Sequence, residues 1–124
     1  MLLKFGIIDY QAGNLRNVQK AVERLGHKSD IVSIENSHEN YSGIILPGVG
    51  SFKKGIDYLK NSGLFDFIKS SVLEKKIPIL GICLGTHLLA SEGDEGGFSE
   101  GLNLLPMKVK KFDTLKSKEK VPHM

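Results

Sequence analysis

Apolar residues follow two alternating patterns along the chain. Four mainly apolar runs have the length of buried strands, and they occupy residues 3–8 (apart from Lys4 and Gly6), 31–34, 43–46 and 79–82. Between and after them, apolar residues recur every three or four positions, which predicts helices at residues 15–25, 52–59, 64–73 and 84–90. Strands that alternate with helices predict an α/β protein with a parallel, doubly wound sheet. Residues 107–112 are a candidate fifth strand.

Polar residues and glycines mark the ends of the first predicted helix. Asn14 is a favourable N-cap, and Gly26 is a favourable stop signal. Loops follow three of the predicted strands, at residues 9–14, at residues 47–51 and at Cys83. Because ligands bind at the carboxyl ends of parallel strands, we expect a functional site where these three loops meet.

The composition indicates one globular domain over residues 1–124. Hydrophobic residues make up 40% of the chain and charged residues 25%, which is ordinary for a soluble protein. No apolar run is long enough to span a membrane, and the N-terminus lacks the features of a signal peptide. A single cysteine cannot form an internal disulfide. These features favour a cytoplasmic protein.

The positive charge lies mainly at the C-terminal end. The net charge is +3, yet residues 107–124 alone contain six lysines and only two acidic residues. Basic residues interleaved with aromatic ones, as on nucleic-acid surfaces, do not occur. We therefore expect a solvated basic tail and no nucleic-acid partner.

The chemistry of the chain centres on Cys83. Gly81 and Gly85 flank it symmetrically, with a predicted strand before and a predicted helix after. This is the layout of a nucleophile elbow, in which a strained turn exposes the nucleophile and small neighbours let strand and helix pass closely. A helix N-terminus also stabilises a thiolate through its free N–H groups. The alternative is a buried core cysteine, which is common among free cysteines.

Attack on a carbonyl group needs hydrogen-bond donors for the oxyanion that forms. Backbone N–H groups are the usual donors, and that of Leu84, next to the nucleophile, is a natural candidate. The glycine-rich residues 47–52 follow a neighbouring strand and can bring a second donor close. They match neither a dinucleotide-binding nor a phosphate-binding glycine pattern. The acidic residues between Gly93 and Gly97 lack metal-ligand spacing, so no metal or cofactor is expected.

These motifs together resemble those of class I glutamine amidotransferases, and in particular the glutaminase subunits of imidazole glycerol phosphate synthases. The resemblance rests on residues 8–10, 13–15, 46–52 and 81–85, with support from residues 96–97, 101–102 and 121–124. It implies a Rossmann-like α/β fold and a Cys-His-Glu triad. It also implies hydrolysis of glutamine to glutamate and ammonia, with the ammonia passed to a (β/α)8-barrel partner in histidine biosynthesis.

The resemblance assigns a role to six positions. Cys83 corresponds to the nucleophile, Val49 and Leu84 to the oxyanion donors, and Gly48, Gly50 and His87 to the glutamine-binding region.

Three departures from the family pattern leave alternatives open. Gln11 replaces a usual glycine, and Thr86-His87 replaces a usual Met-Gln. The family pattern also continues beyond Met124, where its catalytic His and Glu lie. The chain then corresponds to the N-terminal portion of the amidotransferase domain, and by itself we expect it to be inactive. The alternatives are a paralogous amidotransferase for surface-sugar synthesis and an inactive partner-binding module.

The chain has four histidines, which are the candidates to replace the family's catalytic histidine as general base. His87 lies four residues after Cys83, on the same face of the predicted helix, but a pocket-lining role is favoured. His27 and His38 fall in predicted loops and are expected to be solvated. His123 matches a family position outside the triad.

Overall fold

A four-stranded parallel sheet forms the centre of the fold. The computed structural model describes residues 2–10, 15–36 and 40–110. The strands are β1 (Lys4–Ile8), β2 (Lys28–Val32), β3 (Gly43–Leu46) and β4 (Ile79–Gly81), in the order β2-β1-β3-β4. All three pairings are parallel, which confirms the predicted α/β architecture. All four carboxyl ends therefore lie at one edge of the sheet.

Helices pack on both faces of this sheet. They are α1 (Leu15–Arg24), α2 (Phe52–Ser62), α3 (Leu64–Leu73) and α4 (Leu84–Leu88), and a short 3-10 turn spans Ile34–Asn36. Ile44 belongs to the larger core cluster with α2 and α3, whereas its neighbour Ile45 packs with Val22 of α1. Successive strand residues point to opposite faces, so the continuous apolar run of β3 supplies both cores.

The predicted bounds of β2 were wrong. The apolar pattern placed the strand at residues 31–34, but the strand begins at Lys28 and ends at Val32. Each of its residues is paired with one residue of β1, from Lys4 opposite Lys28 to Ile8 opposite Val32. The ladder with β1 therefore recruits polar residues at the start of this edge strand. An ion pair of 2.9 Å between Lys4 and Asp30 lies on the same pair of strands.

The candidate fifth strand belongs to a different sheet. β5 (Glu92–Gly93), β6 (Ser99–Glu100) and β7 (Lys108–Val109) form a separate three-stranded sheet in the order β6-β5-β7. The last two residues of the predicted strand, 111 and 112, lie outside the described residues. So does Asn14, the predicted cap of α1. Gly26, with φ of 85°, ends that helix as predicted by donating its N–H to Glu23.

Candidate active site

Three loops meet at the carboxyl edge of the central sheet. Asp9 follows β1, residues 47–51 follow β3, and Cys83 lies just beyond β4. β1, β3 and β4 are neighbours in the sheet, so parallel pairing brings their ends together. The predicted first loop also includes residues 11–14, which lie outside the described residues.

Cys83 occupies a strained position between β4 and α4. Its φ and ψ are 54° and −125°, and the N–H of Gly85 closes the turn by donating to the Ile82 carbonyl at 3.0 Å. These angles belong to the first central residue of a type II′ turn, a position that glycine usually fills. The Cys83 side chain is exposed. The buried-core interpretation of this cysteine is therefore wrong, and the strand–turn–helix layout is present.

The two glycines beside Cys83 allow an unusually close backbone approach. A Cβ on Gly81 would lie 2.6 Å from Cα of Thr86, and a Cβ on Gly85 would overlap the Leu46 carbonyl oxygen. Such distances exclude any larger residue without a backbone shift. The absence of side chains at these two glycines therefore allows α4 to pack directly against the ends of β3 and β4.

The N–H of Leu84 already has an acceptor. It donates to the carbonyl oxygen of Gly48 at 3.1 Å. Because a trans peptide unit is planar, the N–H of Val49 points away from the carbonyl of Gly48, on the side opposite Leu84. The two predicted oxyanion donors therefore do not converge in this conformation.

The other N–H groups in the first turn of α4 are also occupied. Gly85 donates to Ile82, and Thr86 donates to Cys83, both at 3.0 Å. The predicted free N–H groups beside the thiol are therefore not free, because a short turn and a neighbouring loop supply carbonyl acceptors. α4 has only five residues, two fewer than the seven predicted. Beyond it, the N–H groups of Leu89 and Ala90 donate to carbonyl groups three residues earlier, so the chain continues as a tight turn and not as an α-helix.

The loop after β3 leads into a firmly capped helix. Ser51 is the N-cap of α2, and its hydroxyl accepts the Lys54 N–H at 3.4 Å. Glu95 provides a second cap from a distant loop: its Oε1 accepts the Phe52 N–H at 2.9 Å, and its carbonyl accepts the Lys53 N–H at 3.1 Å. Sequence reasoning missed Glu95, because the 43 residues that separate it from Phe52 leave no local signal.

Comparison with known proteins places this arrangement in a family. The sequence profile described as "Glutamine amidotransferase class-I" matches residues 6–123. The chain belongs to the class I glutamine amidotransferase family. Imidazole glycerol phosphate synthase subunit HisH from Geobacillus thermodenitrificans is 45% identical over 122 residues, which make up 96% of this chain and 57% of the relative. HisH 1 from Campylobacter jejuni is 43% identical over 118 residues, or 95% of this chain and 58% of the relative.

A solved structure supports the fold. A crystal structure of a glutamine amidotransferase superposes with a TM-score of 0.70 at 24% identity, covering 86% of this chain and 55% of that one. This amidotransferase chain spans a little more than half the length of the curated relatives it matches.

His87 is one of the predicted glutamine-binding residues. It is exposed on α4, and among residues 2–10, 15–36 and 40–110 no hydrogen bond joins its side chain to a carboxylate. A general base needs an orienting partner of that kind. His87 lies on the helix that follows Cys83, and the described residues form no histidine–carboxylate pair with it.

The other histidines lie away from this edge or outside the described residues. His27 was predicted to be solvated, and that prediction was wrong. It is half-buried, its Nδ1 accepts the Leu3 N–H at 3.1 Å, and its ring meets Phe5 edge-on. It precedes β2, so it lies at the sheet edge opposite Cys83. His38 and His123 lie outside the described residues.

A pair of tyrosines supports the loop after β1. The Tyr58 hydroxyl donates to the carbonyl of Asp9 at 2.8 Å, and the Tyr10 and Tyr58 rings meet edge-on with centroids 5.3 Å apart. Burial raises the pKa of Tyr10 above its ordinary value, and the neighbouring Tyr58 adds to the effect. Burial also raises the pKa of Tyr58, with a smaller contribution from Asp9. Both hydroxyls therefore stay protonated beside the candidate site.

The described residues form neither a metal centre nor a membrane-spanning helix. In the described part of the chain, no group of three His, Cys, Asp or Glu side chains could hold a metal ion. None of the described helices is long and apolar enough to cross a membrane.

Proposed function

We propose that this chain is the nucleophile-bearing, N-terminal portion of the glutaminase subunit of an imidazole glycerol phosphate synthase. The subunit would hydrolyse glutamine to glutamate and ammonia and pass the ammonia to a (β/α)8-barrel cyclase subunit in histidine biosynthesis. The exposed Cys83 in its strained turn is the observation that carries the proposal. Relatives named as HisH subunits of imidazole glycerol phosphate synthase, 43–48% identical over nearly the whole chain, support the assignment to that synthase.

The proposed reaction begins with attack of the Cys83 thiolate on the side-chain amide carbon of glutamine. A C–S bond forms and the carbonyl oxygen becomes an oxyanion. When the oxyanion collapses, the C–N bond breaks and ammonia leaves with an added proton, so that a thioester remains on Cys83. Water then attacks the thioester, glutamate leaves, and the thiolate is restored. Since proton transfers require a base, the complete reaction calls on the triad His and Glu that the family supplies.

Val49 and Leu84 are proposed as the donors to the oxyanion, with Gly48, Gly50 and His87 around the glutamine. In the conformation described above, the Gly48 carbonyl occupies the Leu84 N–H. Rotating the peptide unit between Gly48 and Val49 would free Leu84 and turn the Val49 N–H toward the same point. The proposal therefore includes a closed ground state of the oxyanion hole that opens during the reaction.

A paralogous role in surface-sugar synthesis is the second candidate. It is favoured by the Thr86-His87 pair, which replaces the usual Met-Gln beside the nucleophile. Both candidates are cytoplasmic glutaminases that deliver ammonia to a partner without a cofactor, so they differ only in the acceptor. Ammonia transfer assayed with a histidine-pathway barrel and with a nucleotide-sugar synthase distinguishes them.

The first test uses the 124-residue chain and a glutamine chloroketone. We expect one adduct, on Cys83, with a labelling rate that falls when glutamine is added but not when glutamate is added. Iodoacetamide serves as a control for simple thiol access, and Cys83→Ala as the control without a nucleophile. A labelling rate that does not change when glutamine is added would favour the inactive partner-binding module.

The second test measures sustained glutamate release by the same chain, with and without a barrel partner. We expect none, because turnover needs a base and the described residues build no histidine–carboxylate pair beside Cys83. Sustained turnover that disappears in His87→Ala would make His87 the base and overturn this part of the proposal.

A further inference from the structure

One turn of α2 contacts all three segments of the candidate active site. α2 begins at Phe52, directly after the loop at residues 47–51. Gly55 and Tyr58 are three residues apart and so lie on one side of the helix. Tyr58 contacts the loop after β1, and Gly55 contacts the helix that follows Cys83. α2 is therefore a common support for the three segments.

Gly55 allows a close approach on that side of α2. A Cβ at this position would lie 2.7 Å from the Tyr10 hydroxyl oxygen and 2.9 Å from a δ-carbon of Leu88. Tyr10 lies in the loop after β1 and Leu88 ends α4, and both side chains are buried. Tyr10 also packs edge-on against the Tyr58 ring, with centroids 5.3 Å apart. The loop after β1 and α4 therefore both meet α2 at this turn.

The Tyr58 hydroxyl fixes the first peptide unit beyond β1. Asp9 donates its N–H to the carbonyl of Val32, at the end of β2, at 3.0 Å. The Asp9 carbonyl in turn accepts the Tyr58 hydroxyl at 2.8 Å. Burial raises the pKa of Tyr58, so the hydroxyl stays protonated and able to donate. A side chain of α2 thus holds the backbone where it leaves the sheet after β1.

The position of this backbone matters because two loops start side by side. β1 and β3 pair in parallel, with Ile7 opposite Ile45, so the chain leaves both strands in the same direction. The loop after β3 runs into α2, and Tyr58 ties α2 to the loop after β1. The hydrogen bond therefore sets the separation between the two loops. Reacting groups must be held close to their attacking geometry, and a misplacement of about 1 Å can slow a reaction by about 100-fold.

We propose that Tyr58 is a positioning residue of the candidate active site, whose hydroxyl holds the loop after β1 in place beside the loop at residues 47–51. It acts through the Asp9 carbonyl and not on the reacting atoms. Tyr58 lies in the middle of α2 and belongs to none of the motifs that carry the family resemblance. The inference rests on the proposed glutaminase function, because it assigns Tyr58 a role in how the site receives glutamine.

Removal of one hydroxyl group tests the proposal. Tyr58→Phe deletes the hydrogen bond to Asp9 and keeps the ring. Tyr41→Phe is the matched control: Tyr41 is also buried, donates its hydroxyl to Asp30 Oδ2 at 3.3 Å, and precedes β3 at the opposite edge of the sheet. In each chain, labelling of Cys83 is followed with the glutamine chloroketone, which needs the glutamine site, and with iodoacetamide, which needs only an accessible thiol.

Tyr58→Phe should lower the selectivity of labelling. We expect the ratio of the chloroketone rate constant to the iodoacetamide rate constant to fall about tenfold, with the iodoacetamide rate constant unchanged. Tyr41→Phe should keep the wild-type ratio. Tyr58→4-aminophenylalanine should restore most of the ratio, since its aryl amine donates a hydrogen bond from the same place. A wild-type ratio in Tyr58→Phe, an equal fall in Tyr41→Phe, or no recovery with the aryl amine would overturn the proposal.

The wild-type chain separates this proposal from the proposed function. If glutamine does not slow chloroketone labelling of the wild-type chain, the proposed function fails and the role of Tyr58 fails with it. If glutamine does slow it and Tyr58→Phe matches the wild type, only the role of Tyr58 is overturned. If Tyr58→Phe does not unfold cooperatively in urea, Tyr58→4-methylphenylalanine takes its place with the same expected results, because its methyl group fills the space of the hydroxyl without donating.

Discussion

The N–H of Leu84 donates to the carbonyl oxygen of Gly48 at 3.1 Å, across the junction between the loop after β3 and the turn at Cys83. Leu84 is 6% exposed, so this bond is sheltered from water. The bond joins the two segments that we propose to stabilise an oxyanion. Under that proposal, the Gly48 carbonyl must turn away before the Leu84 N–H can bind the oxyanion.

The first prediction follows from this bond. In the free chain, the Leu84 amide should exchange its hydrogen slowly, because Gly48 holds it. Formation of the glutamine chloroketone adduct on Cys83 should shift the Leu84 and Val49 amide resonances more than that of Gly26, which lies far from the site. Hydrogen exchange followed by heteronuclear NMR makes the measurement. Rapid exchange of Leu84 in the free chain would contradict the closed state.

The second prediction concerns Gly85. Gly85→Ala places a methyl group on the Leu46 carbonyl oxygen, so the free energy of unfolding should fall by about 3 kcal/mol or more. Gly26→Ala is the control, because its added methyl meets nothing within 4 Å and only its φ of 85° is strained. It should cost about 1–2 kcal/mol. Urea unfolding compares the two, and similar losses would refute the close approach at Gly85.

The third prediction concerns Gly50, whose φ is 101° although a Cβ there would meet nothing within 4 Å. We therefore expect Gly50→Val to act through backbone strain, because valine disfavours a positive φ, and not through crowding of its side chain. The strain should pull the loop and Val49 out of place and slow chloroketone labelling of Cys83 more than iodoacetamide labelling. Losing one oxyanion donor typically costs about 2.7–4 kcal/mol in the barrier. If the substitution slows labelling by both reagents equally, the loop does not contribute to oxyanion stabilisation.

The fourth prediction concerns Glu95 as a cap of α2. Glu95→Ala should lower the free energy of unfolding by about 1 kcal/mol, the usual cost of losing a helix cap. Glu95→Gln retains an oxygen acceptor for the Phe52 N–H and should lose less. Thermal unfolding of both variants provides the comparison. If the Gln variant loses as much as the Ala variant, the carboxylate charge, and not the hydrogen bond, stabilises the helix start.

The fifth prediction is a dependence of stability on alkaline pH. The folded-state pKa values of Tyr10 and Tyr58 are raised above the ordinary value of 10.0. The folded chain therefore binds these protons more tightly than the unfolded chain. Their contribution to stability is complete below about pH 10 and is lost as the pH rises through the raised pKa values. Tyr10→Phe should flatten the fall in unfolding free energy between about pH 9 and about pH 11.

The sequence alone was sufficient to predict the parallel sheet, its helices and the strand–turn–helix position of Cys83. β3 and α3 appeared within their predicted bounds, because continuous apolar runs and helical spacing reflect burial that is local in the chain. Cys83 could be singled out because two glycines and a strand-to-helix change lie within a few residues of it. These signals are short-range, so one sequence is enough to read them.

Tertiary structure alone decided the features that join distant segments. The ladder with β1 set the start of β2 at Lys28, where the apolar pattern gave no strand. Glu95 caps α2 although it lies 43 residues from Phe52 in the sequence. The Gly48 carbonyl likewise accepts the N–H of Leu84, which lies 36 residues later. Hydrogen-bond partners at such separations depend on how strands and loops are brought together in space. Local periodicity does not encode these partners, because it reflects only residues that are close together along the chain.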